Sequence, residues 1–265
     1  MSKLKHYSKE LKAAIQIAKK VGKQLVQKQF SNFSVQFKEN HSIVSTLDLE
    51  AQKMIQSFLK KKFPSHGFLG EESQFKERSN AYWVVDPIDG TTNFVKGLPL
   101  FAVSIALVEN SVPVVGVVFV PSLNECFYAS KGNGAFLNDV KLDAQKFKQI
   151  NQYILSLSHK SEEEFKFLAE NVDVLRKKQY RSRVLGSCTI ALCYVACGRM
   201  DCLITDAEDV GEWDVAAGLV ILREAHCFVL NEFQEKYSFN DSYLFAFNHK
   251  KHLFILDKIL KYKQK

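Results

Sequence analysis

The chain has 265 residues, 46% of them hydrophobic, which is enough to bury a large core in one domain or in two closely joined lobes. No apolar run approaches the length of a membrane span, and the first six residues lead into a mixed polar helix rather than the apolar stretch of a signal peptide, so we expect a cytoplasmic protein with no membrane partner. The formal net charge of +7 comes with lysine-rich ends that are typical of a solvated surface, although such runs can also attract polyanions such as nucleic acid.

The first elements are predicted to be two helices with a short strand between them. Apolar residues recur at helical spacing over residues 6–30, the alternation over 33–37 is typical of a strand, and 38–42 is a polar loop. A second helix is predicted over 46–62, with Thr46 as its N-cap.

Strands dominate the middle of the chain, and strands and helices alternate after it. Runs rich in valine, isoleucine and phenylalanine predict strands at 101–109, 112–120 and 126–130. Further strands are predicted at 154–158, 181–185 and 200–206, and helices at 162–171, 189–197 and 215–225. This order predicts the α/β (α+β) class, as a single unit with an N-terminal α+β lobe over about 1–145 and a C-terminal α/β lobe over about 146–265.

The six cysteines do not form a recognisable metal or disulfide framework. Four of them lie between residues 188 and 202, but no two are spaced as C-x-x-C, which argues against zinc. Cys193 and Cys197 would share one helix face with small apolar residues. We therefore expect buried thiols in a reducing compartment.

The most informative stretch covers residues 83–94, where an apolar strand ends in two aspartates. Burying carboxylates is costly unless a cation or several hydrogen bonds compensate them. Hard cations such as Mg²⁺ prefer oxygen ligands. One turn offers four of them: Asp86, the Ile88 carbonyl, Asp89 and the Thr91 hydroxyl. The stretch therefore predicts a cation site at the end of a buried strand.

Two further acidic elements flank this stretch in the sequence. Glu71 and Glu72 follow the apolar pair 68–69 at another predicted strand end. Asp214 stands near the start of a predicted helix, where an aspartate can be simply an N-cap. The segment 206–214 nevertheless holds five acids in nine residues of a basic protein, which bound cations explain better than chance does, with a solvated surface as the alternative.

In order and type, the three elements resemble the signature of the inositol monophosphatase family of Mg²⁺-dependent, lithium-sensitive phosphomonoesterases. They read G-E-E-S at 70–73, W-V-V-D-P-I-D-G-T-T-N-F at 83–94 and W-D-V-A-A-G at 213–218. The resemblance covers most of the chain, from about residue 8 to about residue 230. It implies a layered α-β-α-β-α sandwich of the inositol monophosphatase and fructose-bisphosphatase type, a homodimer, and two or three Mg²⁺ ions per subunit.

The resemblance also implies roles for the acidic residues. Asp86 would bridge two metal ions, and Glu71 and the Ile88 carbonyl would complete the first metal site. Asp89 and Asp214 would hold the second metal. A pair of metals about 3.5–4 Å apart can both activate a water and neutralise the phosphoryl oxygens.

The remaining residues of the motifs would position water and substrate. Thr91, paired with Glu71, would orient and deprotonate the attacking water, so that no histidine base is required. The backbone N–H groups of Gly90, Thr91 and Thr92 would bind the phosphate at the start of a helix. Further contacts to the substrate are assigned to Gly186, Ser187 and Glu208.

Two more acids are secondary candidates. Asp48 lies in the first turn of the helix predicted over 46–62, where an acid complements the helix dipole, yet the family places an aspartate there close to its metals. Glu72 would point either towards the metal ligands or to solvent.

The chain departs from the family pattern at three places outside the predicted metal ligands. Inositol-specific members have a glutamate at the position of Ala207, for which Asp206 or Glu208 could substitute with a one-residue shift. His226-Cys227 stands in place of two glycines, so the tight backbone expected there must be built otherwise, and Ser42 replaces an aspartate. These departures leave the substrate open and do not affect the reaction.

The sequence therefore predicts metal-dependent hydrolysis of inositol 1-phosphate or of a related polyol or sugar phosphate. A 3′(2′),5′-bisphosphate nucleotidase, a fructose-1,6-bisphosphatase or a histidinol-phosphatase would use the same chemistry. The charge of +7 also leaves open a member of the fold that binds RNA or the transcription machinery. A structural metal site without turnover is disfavoured, because Thr91 and Glu71 would then have no reason to occur together.

Overall fold

The computed structural model describes residues 7–38, 43–72, 79–147, 150–157, 162–206 and 210–263. Its first part contains helices α1 (Ser8–Lys28), α2 (Thr46–Lys62) and α3 (Thr91–Val95) and strands β1 (Val35–Phe37), β2 (Ile43–Ser45), β3 (Gly67–Gly70), β4 (Ala81–Asp89), β5 (Ala102–Glu109), β6 (Val112–Val120), β7 (Glu125–Ser130), β8 (Ala135–Leu137) and β9 (Val140–Leu142). Its second part contains β10 (Tyr153–Leu157), α4 (Glu162–Lys177), β11 (Tyr180–Arg183), α5 (Cys188–Ala196), β12 (Cys202–Asp206), α6 (Glu212–Glu224), β13 (Phe228–Leu230), β14 (Tyr243–Phe247) and α7 (Phe254–Lys263).

Two large sheets organise these elements. Strands β3 to β9 form a seven-stranded sheet in sequence order, in which β3 and β4 are parallel and all other neighbours are antiparallel. The second sheet has five strands in the order β11-β10-β12-β14-β13. Strand β10 is parallel to β11 and β12, and β14 is antiparallel to both of its neighbours. A small pair, β1 and β2, stands apart from both sheets.

The hydrophobic core is arranged in layers between helices and sheets. Helices α1 and α2 pack on one face of the seven-stranded sheet, and α5 and α6 lie between its other face and the five-stranded sheet. Helices α4 and α7 cover the outer face of the five-stranded sheet. The predicted α-β-α-β-α sandwich is thereby confirmed.

Strand β4 illustrates why this layering follows from the sequence. Side chains alternate between the two faces of a strand. Trp83 and Val85 therefore enter the core under α1 and α2, whereas Tyr82 and Val84 enter the core that contains α5 and α6. A strand buried on both faces has to be apolar throughout, and this one stays apolar up to Asp86.

Several boundaries differ from the sequence-based expectations. The prediction of Thr46 as an N-cap is wrong by one residue: Ser45 has the extended backbone of a cap and accepts a hydrogen bond from the Leu47 N–H at 3.2 Å. The helix predicted over 215–225 begins earlier, at Glu212, because the extended Gly211 lets the chain turn into the helix there. Strands β13 and β14 and helix α7 were not predicted. Among the described helices, none combines the length and apolarity that crossing a membrane requires.

Candidate active site

The site begins where the parallel strands β3 and β4 end at the same edge of the seven-stranded sheet. Gly70 pairs with Val85, and the Glu71 N–H donates to the Val85 carbonyl at 3.0 Å. Glu71 and Asp86 therefore leave the sheet side by side. The register of β3 and β4 thus places the motif at 70–73 beside the motif at 83–94.

The turn after Asp86 is shaped by an irregularity in the ladder between β4 and β5. Asp86 faces Ser104 whereas Asp89 faces Ala102, so the chain bulges between the two aspartates. The Asp86 carboxylate accepts the Ile88 N–H at 2.9 Å across this bulge. Bulges re-aim side chains at the edges of sheets. Here the bulge directs both carboxylates towards the same space.

Asp89 is held by the start of helix α5. Its carboxylate accepts a short hydrogen bond from the Ser187 hydroxyl and another from the Thr189 N–H at 2.9 Å. Ser187 is also the N-cap of α5 and accepts the Ile190 N–H at 3.2 Å. The structure thus places Ser187, predicted as a substrate contact, directly against Asp89.

Asp214 reaches the same space from helix α6. It is the third residue of the helix, and its carboxylate accepts the Gly211 N–H at 2.7 Å. It is therefore both the helix-stabilising acid and a neighbour of the two aspartates from β4. Oxygen atoms of Asp86, Asp89 and Asp214 lie within 4.8 Å of one another, and we call these three residues the carboxylate cluster.

The electrostatics of the carboxylate cluster favour a bound cation. Burial, and then the negative charges of Glu71, Asp89 and Asp214, raise the pKa of the Asp86 carboxyl well above its ordinary value. Burial also raises the pKa of Asp89, although hydrogen bonds from Ser187 and Thr189 oppose the shift. A divalent cation would remove this penalty, and a set of carboxylate oxygens with a nearby carbonyl fits hard Mg²⁺.

Glu71 and Glu72 share a basic partner that the sequence did not reveal. Lys38 Nζ lies 2.7 Å from Glu71 Oε1 and 2.6 Å from Glu72 Oε1. Burial raises the pKa of Glu72 to about 7, although the hydrogen bond from Lys38 opposes the shift. The Glu72 N–H donates to Gln52 Oε1 at 2.9 Å. No local sequence pattern predicts the position of Lys38, because the contact joins residues that lie 33 positions apart in the chain.

Thr91 and Asp48 are brought together beside the carboxylate cluster. The Thr91 hydroxyl lies 3.0 Å from the Ile88 carbonyl and 3.2 Å from Asp48 Oδ1. Within the described residues its hydrogen bonds therefore go to these two groups, and not to Glu71 as the family resemblance implies. Asp48 also accepts the Ser45 N–H at 2.8 Å, and burial raises its pKa.

A cavity of about 180 Å³ opens over the carboxylate cluster. It is lined by Ile43, Glu71, Asp86, Ile88, Asp89, Gly90, Thr91, Thr92, Gly186, Ser187, Cys188, Val210 and Asp214. The predicted phosphate-binding residues thus surround one space, whereas Glu208 lies outside the described residues. Gly90 has a φ of 89°, and a Cβ there would lie 2.9 Å from the Leu100 carbonyl oxygen. Only glycine fits this turn without strain.

Asn93 is a further residue of the site that sequence reasoning missed. Its Nδ2 donates to the carbonyls of Leu100 and Leu185, each at 2.7 Å. It thereby ties helix α3 to the segment that leads into α5. The only available signal was its place within the 83–94 motif.

Comparisons with known proteins agree with this geometry. A model of the inositol monophosphatase family matches residues 6–262. The chain is 37% identical over 205 residues to the "fructose-1,6-bisphosphatase/inositol-1-monophosphatase" of Thermotoga maritima, an alignment that covers 77% of each chain. It is 40% identical over 194 residues to the "Nus factor SuhB" of Xylella fastidiosa, covering 72% of this chain and 70% of that one. A solved inositol monophosphatase structure from Thermotoga maritima superposes with a TM-score of 0.87 at 32% identity, over 97% of this chain and 98% of that one.

Proposed function

Since the chain belongs to the inositol monophosphatase family, it is a phosphoric monoester hydrolase, and we propose that hydrolysis takes place at the carboxylate cluster with Mg²⁺ as cofactor. The observation that carries the proposal is the convergence of Asp86, Asp89 and Asp214 in a partly buried space. Three carboxylates so close together are unfavourable unless cations neutralise them.

The donors around the cavity support two or three Mg²⁺ ions per subunit. Asp86, Glu71 and the Ile88 carbonyl would hold one ion, and Asp86, Asp89 and Asp214 another. Glu71 would exchange its contact with Lys38 for the metal. When bound, Mg²⁺ supplies positive charge that offsets the phosphoryl oxygens and lowers the pKa of a coordinated water.

The protein's own groups would orient the reactants. Thr91 lies next to the predicted metal ligand Ile88 and next to Asp48. Its hydroxyl can therefore accept a hydrogen bond from an attacking water while it donates one to an acidic acceptor. The N–H groups at the start of α3, at Gly90, Thr91 and Thr92, would receive the phosphate oxygens.

We propose inositol 1-phosphate, or a related polyol or sugar phosphate, as the substrate. The name of the Thermotoga maritima relative supports two such substrates, fructose 1,6-bisphosphate and inositol 1-phosphate. The cavity of about 180 Å³ suits a small molecule. Bisphosphate nucleotidase and histidinol-phosphatase activities are the alternatives with the same chemistry.

Phosphate release across a substrate panel tests the reaction and the substrate together. The panel holds inositol 1-phosphate, fructose 1,6-bisphosphate, adenosine 3′,5′-bisphosphate and histidinol phosphate, each assayed with Mg²⁺ and with EDTA. We expect release that requires Mg²⁺ and is fastest with inositol 1-phosphate. Release that persists in EDTA would contradict the metal proposal. Preference for another substrate in the panel would assign the protein to the corresponding phosphatase activity of the family instead.

A second candidate function is an interaction with RNA or the transcription machinery. The 40% identity to a protein named a Nus factor favours it, as does the net charge of +7. Biolayer interferometry against immobilised RNA and against bacterial RNA polymerase tests it. Binding at physiological salt, unchanged in Asp86→Asn, would establish a role separate from hydrolysis; no binding would exclude it.

The family also supports four finer proposals. We expect lithium to inhibit by occupying a metal position, and insensitivity at high millimolar lithium would contradict this. We expect a homodimer, which the mass from light scattering tests.

We place the protein in the cytoplasm, where the six free cysteines would stay reduced, and cell fractionation checks this. We also propose one folding unit with lobes over about 1–145 and 146–265, which predicts a single calorimetric transition.

A further inference from the structure

A second cavity lies at the far end of helix α6 from the carboxylate cluster. Its volume is about 220 Å³, compared with about 180 Å³ over the cluster, and the two share no lining residue. It is formed by the turn between β5 and β6, the last turns of α6, and the segment before β14. We call it the Arg223 cavity, and it is lined by Ser111, Val112, Pro113, Leu219, Arg223, Lys236, Tyr237, Ser238 and Phe239.

Arg223 brings a positive charge into this mainly apolar lining. Its Nη2 donates to the Tyr237 carbonyl at 2.7 Å, but its buried Nε has no hydrogen-bond partner. Among the described residues, no carboxylate forms an ion pair with the guanidinium. Asp241, on the neighbouring segment, instead accepts hydrogen bonds from the Ser238 N–H and hydroxyl. Burial lowers the pKa of Arg223, and only Tyr237 opposes the shift.

A purely structural role accounts for part of this arrangement. A cation in the last turn of a helix interacts favourably with the carbonyl end, and the Tyr237 contact satisfies one N–H. A guanidinium has five N–H donors, however, and burying one of them without a hydrogen-bond partner destabilises the folded protein. Helix α6 could obtain the same dipole benefit from an exposed lysine without that loss.

The surroundings of Arg223 complete a recognisable type of ligand site. Lys236, whose side chain is exposed, adds a second positive charge at the cavity, and Ser111 and Ser238 add hydroxyl groups. The remaining lining is apolar or aromatic: Val112, Pro113, Leu219, Tyr237 and Phe239. Pockets for small molecules typically combine an apolar lining with a few polar groups that fix the orientation of the ligand.

We propose that the Arg223 cavity binds a small organic anion, whose carboxylate or phosphate group pairs with Arg223 and whose apolar body packs against Leu219, Tyr237 and Phe239. The planar guanidinium matches both kinds of oxyanion. Lys236 strengthens binding from the rim. Arg223 follows Asp214 by nine helical residues, a separation of about 14 Å along the axis, so both sites can be occupied at once.

Binding of benzoate and of phenylphosphonate to the full-length protein, measured by NMR titration, tests the proposal. The two probes distinguish a carboxylate from a phosphate as the preferred group, and benzamide is the uncharged control. We expect Arg223→Met to weaken binding of the better probe by about tenfold or more, since a hydrogen bond to a charged group contributes about 1.5–3 kcal/mol. Val112→Trp, which narrows the mouth of the cavity and leaves the charge in place, should also weaken it, whereas Lys62→Met on helix α2 should not.

Each result decides for or against binding of an organic anion in the Arg223 cavity. Absence of binding by either anion to the folded protein overturns the proposal, as does benzamide binding as tightly as benzoate. Binding that Val112→Trp leaves unchanged places the ligand elsewhere and also overturns it. If Arg223→Met does not fold, Val112→Trp and Lys236→Met, both at exposed positions, still give the answer.

Discussion

At the scale of single residues, the site is a concentration of buried charge held by neutral donors. Asp86 accepts the Ile88 N–H, and Asp89 accepts from Ser187 and Thr189. These hydrogen bonds fix the direction of the carboxylates and do not neutralise them. Their charge is therefore available to a ligand, which is the property a metal site needs.

Asp86→Asn should abolish turnover and leave the fold intact. The amide oxygen can still accept the Ile88 N–H, but the side chain loses the negative charge with which Asp86 would hold the proposed Mg²⁺ ions. We expect kcat for inositol 1-phosphate to fall by about three orders of magnitude, with Asp173→Asn on exposed helix α4 as the matched control. Phosphate release and circular dichroism measure the two effects. A folded variant with nearly full activity would disprove the proposed role of Asp86 as a metal ligand.

Thr91→Val tests whether the hydroxyl acts on the water. The variant keeps the shape of the side chain but removes the hydrogen bonds to Asp48 and Ile88. We expect kcat to fall by about 10²–10⁴-fold, Mg²⁺ affinity by calorimetry to stay close to wild type, and Thr91→Ser to keep most activity. An equal loss in the serine variant would point to packing instead.

His226 forms the tight backbone turn for which the family resemblance led us to expect glycine. Its φ is 63°, and helix α6 ends with Cys227 N–H to Leu222 carbonyl and His226 N–H to Arg223 carbonyl bonds, the pattern of a Schellman cap. A residue other than glycine therefore forms the turn here, in a backbone conformation that is strained for it.

His226→Gly should raise the free energy of unfolding. Relief of the left-handed conformation is worth about 1–2 kcal/mol, which exceeds the added freedom of glycine in the unfolded chain. The exposed contact of His226 with Asp143 contributes little. In urea unfolding, we expect the free energy of unfolding of His226→Gly to rise by about 1 kcal/mol and that of His226→Val to fall. A destabilised glycine variant would show that the Asp143 contact outweighs the strain.

At the scale of elements, what could be predicted depended on how local the signal was. The strands of the seven-stranded sheet and the aspartate turn follow from runs of apolar residues and a compact motif. Lys38, by contrast, reaches Glu71 through tertiary structure that no spacing encodes. Strand β14 lies antiparallel between β12 and β13, and its partners are likewise chosen by the sheet and not by its own sequence.

Strand β6 and helix α6 approach each other closely at Gly116. A Cβ at this position would lie within 3.0 Å of Ala217 Cα and closer still to the Ala217 carbonyl oxygen. Gly116→Ala should therefore force the strand and helix apart and lower the free energy of unfolding by about 1–3 kcal/mol.

Urea unfolding of Gly116→Ala measures this change, with Val112→Ala on the exposed end of the same strand as the control. Because α6 also carries Asp214, we expect the affinity for Mg²⁺ to decrease in Gly116→Ala. Wild-type stability in this variant would mean that strand β6 and helix α6 can move apart without lowering the free energy of unfolding.

At the scale of the whole molecule, the carboxylate cluster brings together side chains from two layers of the fold. Asp86 and Asp89 belong to the seven-stranded sheet, and Asp214 belongs to the helical layer behind it. The same charges that prepare the site for a cation therefore weaken the metal-free fold.

The metal-free protein should lose stability as the pH rises. Because the folded-state pKa of Asp86 is raised above 3.8, the folded protein holds more protons than the unfolded chain above that pH, and the stabilising contribution disappears as the pH approaches the raised value. In EDTA, we expect the Tm of wild type to fall relative to that of Asp86→Asn as the pH rises above 3.8 towards the raised pKa of Asp86.

Saturating Mg²⁺ should reverse this loss by binding only the folded state. Differential scanning calorimetry in EDTA and in Mg²⁺ measures both effects. Parallel pH profiles of wild type and Asp86→Asn would show that the buried carboxylate carries no such penalty.

The middle helical layer has a consequence for how this protein can diversify. Residues 189–193 of α5 and 215–222 of α6 are all buried, and a Cβ on Gly218 would lie 2.6 Å from a methyl carbon of Leu192. A layer without a solvent face can accept neither bulk nor polarity, whereas α1, α2 and α4 each present a face to water. In a library of all single substitutions, tolerated changes should therefore concentrate in the outer helices, and new specificities would evolve through the loops around the cavity rather than through the helices beneath it.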